Sequence, residues 1–433
     1  MISLWTDTAK LPQFPVFSGE AVVDVLIVGG GMAGLLCAYS LAQTGASYLL
    51  LEADTIASGV TKNTTAKLTA QHGLVYHRLL SRWGAERAGV YLQANLQAVE
   101  DFRRLCLDNQ LDCDFEDKDN YVYSLDSPSQ LEAELTALAR LGYPARPAAD
   151  PPLPFPVAGA VCFPEQAQFH PLKFLAALAP GLHIHEHSPV RELKPGLALT
   201  PRGRVRAGKI IVASHFPYIN RHGGYFIKMH QQRSYVLGLS GAKPVGGMYV
   251  DAAQDGLSFR DQGELLLLGG AGGRTGRSHG GWTQLQAQAQ RFYPGCTVKY
   301  QWAAQDCITL DDMPYIGPYS RETPWLLVAA GFNKWGMTSS MVAAHILSAL
   351  ARERPHPWAW AFSPSRSVLH PRLAANALEA AANLLRPASR RCTHLGCALR
   401  WNREENSWDC PSHGSRFTAE GGLIENPATR DLS

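Results

Sequence analysis

The stretch Val22-Val-Asp-Val-Leu-Ile-Val-Gly-Gly-Gly-Met-Ala-Gly34 decides the fold of this chain. Its first half is mostly apolar and β-branched, which is typical of a strand buried on both faces of a sheet. The glycines then open a helix over about residues 33–44, and a second apolar strand follows at 47–51. A strand, a helix and a strand in this order predict a βαβ unit, the opening of a parallel sheet.

The glycine cluster fits the turn that receives the pyrophosphate of a dinucleotide. Gly29 permits a tight turn, Gly31 lets the backbone approach the phosphates, and Gly34 lets the helix and strand pack closely. The helix N-terminus offers free N–H groups and the positive end of its dipole. Glu52, at the end of the second strand, can accept hydrogen bonds from ribose hydroxyls. The sequence therefore predicts a dinucleotide site, with a glycine-rich turn that holds no ligand as the alternative.

Composition and charge narrow the class of protein. Because 46% of the residues are hydrophobic and 18% are charged, we expect globular domains, and 433 residues suffice for two or three. A net charge of +3 without long runs of one sign gives no reason to expect nucleic acid or an anionic membrane as a partner. No stretch reaches the roughly 18 apolar residues of a membrane helix. The N-terminus has no signal-peptide pattern, so the predicted location is cytoplasmic.

Further stretches resemble the D-amino-acid-oxidase-like FAD oxidoreductases, a superfamily that includes glycine and sarcosine oxidases. They are the Gly/Thr-containing loop 58–67, the late strand 209–214, and the closing elements 311–318 and 331–338. The resemblance covers roughly residues 20–360 and implies FAD as the cofactor. It assigns these residues to FAD: Gly29, Gly31, Met32, Ala33, Gly34, Glu52, Thr61, Thr65, Ala66, Lys67, Val190, Gly331, Trp335, Gly336, Met337 and Thr338.

A second glycine-rich run, residues 269–276, resembles a nucleotide loop because it follows a strand. No apolar-periodic helix starts after it, so we predict a turn within a sheet. Without a second nucleotide fold, there is little reason to expect NAD(P)H as an electron donor.

Paired Cys and His residues near the C-terminus form a second motif. Cys392-Thr-His-Leu-Gly-Cys397 precedes Cys410-Pro-Ser-His-Gly-Ser415. Two thiolates and two imidazoles can hold a two-iron, two-sulphide cluster, one pair on each iron. The pattern resembles the Rieske signature, which implies a [2Fe-2S] cluster; zinc, or no metal, are the alternatives. The predicted ligands are Cys392, His394, Cys410 and His413.

This segment departs from the Rieske pattern of respiratory complexes in two ways. Ser412 stands where a cysteine would form a disulfide staple with Cys397, so no staple is expected. Only about 45 residues follow the linker, too few for an independent core. We therefore expect the segment to lean on the rest of the protein, or its cluster to be labile.

The predicted fold class is α/β. A Rossmann-like FAD-binding domain is interleaved with an α+β substrate domain on an antiparallel sheet, and a small all-β Rieske-like segment follows. The predicted ranges are 20–75, 151–215 and 301–361 for the FAD-binding domain, 76–150 and 216–300 for the substrate domain, 362–388 for a linker helix, and 389–433 for a truncated cluster domain.

Four side chains are candidates for the reaction site. His72 follows the flavin loop and could orient a substrate or touch the flavin, although a structural histidine fits equally well. Arg233 and Tyr235, on a strand of the substrate sheet, could clamp a carboxylate, whereas a charge on the sheet surface is the simpler interpretation. Lys334 lies in the loop that closes over the flavin and could stabilise the reduced ring.

The resemblance implies that an amine or amino acid is oxidised by hydride transfer to FAD. The hypothesis continues with electrons passing singly to the cluster and then to an external acceptor, which favours a dehydrogenase over an oxidase. The substrate class rests on the resemblance alone. Two alternatives remain: a reductase driven by an external iron–sulphur protein, and an electron carrier or redox sensor. A flavin pocket without room for a substrate would favour the carrier.

Overall fold

The computed structural model describes residues 2–367 and 369–432, and three β-sheets organise this part of the chain. The helices are α1 Leu4–Thr8, α2 Met32–Ala42, α3 Tyr76–Asp108, α4 Pro128–Arg140, α5 Pro171–Leu178, α6 Tyr225–Lys228, α7 Gly281–Phe292, α8 Gly336–Ala351, α9 Ala359–Phe362 and α10 Pro371–Leu385. The strands are β1 Gly19–Val28, β2 Tyr48–Leu51, β3 Lys67–Leu68, β4 Glu116–Ser124, β5 Arg146–Ala148, β6 Gly159–Gln168, β7 Ile184–His185, β8 Glu192–Lys194, β9 Leu197–Thr200, β10 Gly203–Val212, β11 Met229–Ser240, β12 Met248–Asp251, β13 Ser258–Gln262, β14 Leu265–Arg274, β15 Thr297–Thr309, β16 Tyr315–Pro318, β17 Leu326–Ala330, β18 Arg400–Asn402, β19 Ser407–Asp409, β20 Arg416–Thr418 and β21 Leu423–Glu425.

The first sheet contains the predicted βαβ unit. Its strands run in the order β16-β17-β10-β1-β2-β7, and β1 pairs in parallel with both β2 and β10. The last four residues of β1, 25–28, are buried, as expected of a central parallel strand. Helix α2 follows directly and packs against α8. The order of strand, glycine turn and helix brings the carboxyl ends of β1, β2 and β10 to one edge, where dinucleotides bind in such sheets.

The second sheet is mainly antiparallel and has the order β15-β11-β14-β13-β12-β4-β6-β3, with β5 paired to β6. The glycine-rich run 269–276 lies within the sheet as predicted, but it is not mainly a turn: residues 269–274 belong to strand β14, which pairs with β11, and only 275–276 turn. Three strands of this sheet fall in ranges predicted for the FAD-binding domain: β3, β6 and most of β15. Strand β6 is held there by antiparallel pairing with β4, a contact that local sequence does not encode.

The third sheet is small and antiparallel, with the order β18-β19-β20-β21. A few side chains form its core, among them Cys392, Cys410 and Phe417. Helix α10 precedes it within the predicted linker. The predicted fold class is therefore confirmed, with a short all-β unit at the C-terminal end. No helix in the described part of the chain is long and apolar enough to cross a membrane.

Candidate active site

A cavity of about 1190 Å³ lies at the carboxyl edge of the first sheet and reaches the second sheet and the C-terminal module. Its volume exceeds the range of about 300–1,000 Å³ that is usual for small-ligand pockets, so the cavity can hold a large ligand. The cofactor residues predicted from the sequence line it, except four that lie behind the lining: Gly34, Ala66, Gly331 and Thr338.

The glycine turn is built for close contact. Gly29 has φ +111°, and a Cβ there would lie 2.6 Å from the carbonyl oxygen of Ala213. A Cβ on Gly34 would lie 1.9 Å from the carbonyl oxygen of Gly29, so α2 can sit against the turn only with glycine at this position. The backbone N–H of Met32 donates to Thr61 Oγ1 at 3.1 Å, which joins the helix N-terminus to the next loop.

Glu52 lies beside the turn at the end of β2. Its Oε2 accepts from the backbone N–H of Gly30 at 2.6 Å, and its Oε1 accepts from that of Asp54 at 2.9 Å. Burial raises the pKa of Glu52, which these two donors partly offset. Val190 lines the same end of the cavity, where its carbonyl oxygen accepts from the Tyr218 hydroxyl at 3.3 Å. The arrangement fits a ribose and adenine end.

The loop at 64–67 is held by a buried arginine that the sequence did not single out. Arg260, on β13, donates through Nη1 to the carbonyl oxygens of Thr65 and Ala66 at 2.9 Å each. Lys67 is also buried and donates to Thr65 Oγ1 at 3.3 Å. Burial, with a contribution from Arg260, lowers the pKa of Lys67 to about 7. Two basic side chains thus flank this loop, and of the two only Lys67 lines the cavity.

The N-terminus of α8 opens onto the cavity, as the resemblance implied. The preceding residues Asn333 and Lys334 both have left-handed backbone, with φ +53° and +73°. Asn333 Oδ1 accepts from the backbone N–H of Thr309 at 2.8 Å, which fixes the turn. Lys334 is exposed and makes one long hydrogen bond, 3.4 Å to the carbonyl oxygen of Gln254. The helix dipole therefore presents its positive end to a bound ligand.

His72 lines the cavity but has both ring nitrogens engaged within the protein. Its Nε2–H donates to the carbonyl oxygen of Thr69 at 2.8 Å, and its Nδ1 accepts from the Tyr91 hydroxyl at 2.5 Å. The ring stacks on Trp335 with centroids 4.9 Å apart. Burial lowers the pKa of His72 to about 3, so the ring is neutral. These contacts favour the structural interpretation and a role in positioning Trp335.

Arg233 is not available to a substrate, so its prediction as a carboxylate clamp is wrong. Its guanidinium pairs with Glu405 and, at 3.2 Å, with Glu425. Both partners belong to the C-terminal module, whose docking on β11 could not be read from the local sequence. The side chain is only 3% exposed, so it is not a surface charge either. Tyr235 lies on the same strand, buried with its ring 5.0 Å from Trp282.

The two Cys/His loops meet as the motif predicted. The rings of His394 and His413 are 4.9 Å apart, and Nδ1 of each is buried without a hydrogen-bond partner among the described residues. Burial lowers the pKa of His413 to about 3 and that of His394 to about 4, so both are neutral, as metal ligands must be. Such unpartnered nitrogens beside thiols fit an iron–sulphur cluster held by this side-chain set.

Three thiols approach one another at this centre. The ligand atoms of Cys397, Cys410 and His413 lie within 4.8 Å of one another, and Cys392 also contacts Cys410. All of these cysteines are free, and Ser412 lies beside Cys397 as the missing staple requires. The choice of Cys392 over Cys397 as a ligand follows from the Rieske resemblance and stays a prediction.

The second ligand loop rests on the substrate sheet. Gln231 Nε2 donates to the carbonyl oxygen of His413 at 2.8 Å, and Gln305 Nε2 donates to that of Gly414 at 2.8 Å. A Cβ on Gly414 would lie 2.6 Å from Gln231 Cβ, so glycine permits this approach. The two glutamines are themselves joined at 2.7 Å. The body of the protein thus supports a module that lacks the staple and is too short for a core of its own.

The C-terminal tail closes the gap between the two centres. Residues 423–426 and 428–431 line the same cavity as the glycine turn. Asn426 anchors this tail by donating to the carbonyl oxygens of Ser214 and Phe216 at 2.5 and 3.0 Å, just after β10. The wall of the predicted flavin cavity is therefore built partly by the cluster module.

Asn220→Ala is expected to weaken cluster retention by about 10–100-fold. Its Oδ1 accepts from His394 Nε2–H at 2.8 Å, which orients the ring so that Nδ1 faces the centre. The measurement is the amount of iron that survives incubation with a chelator at graded concentrations. Asn109→Ala, at the exposed end of α3, is the matched control and should retain iron like the unmodified protein. Equal iron loss from both variants would contradict the role given to Asn220.

Comparisons with known proteins agree with this geometry. Residues 24–350 match the family model for FAD dependent oxidoreductase (DAO), and residues 379–433 match that for the Rieske [2Fe-2S] domain. A Bacillus subtilis (strain 168) protein, provisionally named the Rieske 2Fe-2S iron-sulfur protein YhfW, is 32% identical over 99% of this chain and 96% of its own length.

Two solved structures share the fold of the first two sheets. Glycine oxidase from Geobacillus kaustophilus superposes with a TM-score of 0.67 at 20% identity, covering 80% of this chain and 99% of that one. L-proline dehydrogenase from P. horikoshii gives 0.66 at 15% identity, covering 81% and 98%. Taken with the family match over 24–350, these findings mean that the chain belongs to the DAO family of FAD-dependent oxidoreductases and carries a Rieske [2Fe-2S] domain at its C-terminal end.

Proposed function

We propose that this protein is an amine or amino-acid dehydrogenase whose electrons leave through its Rieske centre to an external acceptor. The observation that carries the proposal is the shared cavity, because residues of the cluster module and of the nucleotide turn line the same space. When bound, FAD accepts a hydride from carbon, and a [2Fe-2S] cluster transfers one electron at a time. A fused one-electron centre at the cavity wall favours an acceptor other than oxygen.

The side chains around the cavity support binding and orientation of a small substrate. The N-terminus of α8 and the left-handed turn before it offer positive dipole and N–H donors. His72 is neutral and buttresses Trp335. With Arg233 committed to the module, Lys334 is our candidate for meeting a substrate carboxylate, since its ammonium has a single long contact. Arg78 and Arg372 both pair instead with Asp312.

The proposed substrate class is supported by the names of the two solved structures, glycine oxidase and L-proline dehydrogenase. Both names denote oxidation of a small amino acid. The lining of the cavity extends from the nucleotide turn to the antiparallel sheet and the C-terminal module, which favours a substrate-binding enzyme over a pure electron carrier. The experiment below distinguishes the proposed dehydrogenase from a reductase, in which electrons would run from the cluster to the flavin.

The test compares the unmodified protein with Cys410→Ala under anaerobic conditions. A panel of small amines and amino acids is screened for bleaching of the flavin bands, and reduction of a one-electron dye is then followed. We expect at least one compound to bleach the flavin in both proteins. Dye reduction should be at least about tenfold slower in Cys410→Ala, since one-electron exit requires the cluster. Cys296→Ala, outside the ligand loops, is the control.

Two results would overturn the proposal. Equal dye reduction by all three proteins would mean that electrons leave the flavin directly. If no compound bleaches the flavin while a reduced iron–sulphur protein does, electrons run inward, and the reductase alternative holds.

A further inference from the structure

Helix α10 buries polar residues and exposes apolar ones, the reverse of an ordinary surface helix. Its two fully buried residues are polar, Asn376 and Asn383, whereas Leu378 and Leu385 are 71% and 84% exposed. A helix packed on a protein normally buries its apolar stripe and presents charge to water. The ten exposed residues of α10 include a single charged one: Pro371, Arg372, Ala374, Ala375, Ala377, Leu378, Ala381, Ala382, Leu384 and Leu385.

Hydrogen bonds hold α10 in this orientation. Asn376 Oδ1 accepts from Arg274 Nη1 at 3.0 Å, and its Nδ2 donates to the carbonyl oxygen of Ile227 at 3.2 Å. About two turns further on, the backbone carbonyl oxygen of Asn383 accepts from the backbone N–H of Ala398 at 2.9 Å. Rolling the helix to hide its leucines would break these bonds and leave the buried side-chain amide of Asn376 without partners, which is costly. The outward apolar face is therefore a fixed feature of the fold.

The apolar face continues beyond the helix. Leu369, just before it, is 83% exposed, and Leu395, in the first ligand loop, is 37% exposed. Arg391 joins helix and loop, because its Nη1 donates to the carbonyl oxygens of Leu384 and Gly396 at 3.0 and 2.8 Å. Exposed leucines along the helix and in the segments at both of its ends indicate an interaction site. We call the exposed side of α10 with Leu369 and Leu395 the leucine face.

The charged residues around the leucine face indicate which kind of partner binds there. Residues 369–391 contain four arginines and one acidic residue, Glu379, which already pairs with Arg277 at 2.6 Å. A second copy of the chain on this face would bring like-charged rims together. Because Arg372 pairs with Asp312, the arginines available at the rim are Arg386, Arg390 and Arg391. We propose that the leucine face binds the surface of an anionic lipid membrane, with the leucines in the acyl boundary and these three arginines at the head groups.

This docking would place the Rieske centre at the lipid surface. Leu395 lies between His394 and Gly396, so the loop that carries one predicted cluster ligand belongs to the same face as the helix. The proposed membrane docking depends on the exposure of the leucine face and on the arginines beside it, and it stands whether or not the proposed amine oxidation is correct.

The test is co-sedimentation of the cofactor-loaded protein with vesicles. One set is phosphatidylcholine alone, and in the other about a third of the lipid is phosphatidylglycerol. We expect binding to the anionic vesicles at least about tenfold tighter than to the neutral ones, and weaker at high salt. The double variant Leu378→Glu, Leu385→Glu should lose this binding by about tenfold or more. The control Leu107→Glu, Leu125→Glu changes leucines that are 56% and 54% exposed elsewhere and should bind like the unmodified protein.

All four substituted positions are exposed, so we expect each variant to fold. Circular dichroism and flavin content check this. Binding that is equal for both lipid compositions, or absent, would overturn the proposal. Sedimentation velocity without lipid tests the competing occupant, a second copy of the chain. If the protein is a dimer that the α10 double variant dissociates, and no vesicle binding occurs, a second copy covers the leucine face.

Discussion

Gly34→Ala is expected to lower FAD affinity at least about tenfold, equivalent to about 1.4 kcal/mol or more of binding free energy. The added Cβ would lie 1.9 Å from the carbonyl oxygen of Gly29, so α2 must move away from the turn. This displacement moves the helix N-terminus, and with it the N–H groups that face the pyrophosphate site. The measurement is the ratio of flavin to protein absorbance after purification, followed by titration of the apoprotein with FAD.

Gly89→Ala is the matched control. Gly89 also lies in a helix, α3, but a Cβ there meets nothing within 4 Å. Because alanine favours helix over glycine by about 1 kcal/mol, this variant should keep its flavin and be no less stable. Normal flavin content in Gly34→Ala would mean that the turn does not form the cofactor site.

Arg233→Met is expected to lower the free energy of unfolding by about 3 kcal/mol and to release iron. The substitution leaves Glu405 and Glu425 facing a neutral side chain at the interface between β11 and the cluster module. Arg416 still pairs with Glu405 at 2.7 Å, which keeps the expected loss at the lower end of the range for broken buried pairs. Urea unfolding and iron content measure the two effects, and flavin content should change little.

An exposed ion pair provides the comparison. Arg204 pairs with Glu20 across β10 and β1, and both side chains are about half exposed or more. Solvent screening limits such pairs to about 0–1 kcal/mol, so Arg204→Met should be nearly neutral and should keep its iron. Comparable destabilisation by the two variants, or full iron content in Arg233→Met, would refute the docking role of Arg233.

The fusion explains how so short a Rieske unit can hold its loops. Gln231 and Gln305 bind the backbone of the second ligand loop, Asn220 binds the first imidazole, and Arg233 pairs with the module's acids. A module too small for its own core thus borrows polar contacts from the flavoprotein body. This dependence agrees with the expectation, drawn from its length and from Ser412, that the segment leans on its neighbour.

The sequence by itself determined the features that depend on neighbours along the chain. The apolar run at 22–28, the turn glycines and Glu52 predicted the βαβ unit, because strand burial and turn geometry follow local residue type. The spacing of Cys392, His394, Cys410 and His413 predicted the paired ligand loops, because the two ligands of each loop are near neighbours along the chain.

Only the tertiary structure decided which distant segments meet. Arg233 reads as a sheet residue, but Glu405 and Glu425 make it an interface anchor. The leucines of the predicted linker helix α10 face outward, because the side chain of Asn376 and the backbone carbonyl of Asn383 find their partners inside. The tail after β21 became a wall of the cavity through Asn426. Long-range pairing and the satisfaction of buried polar groups set these outcomes, and neither leaves a periodic signal in the sequence.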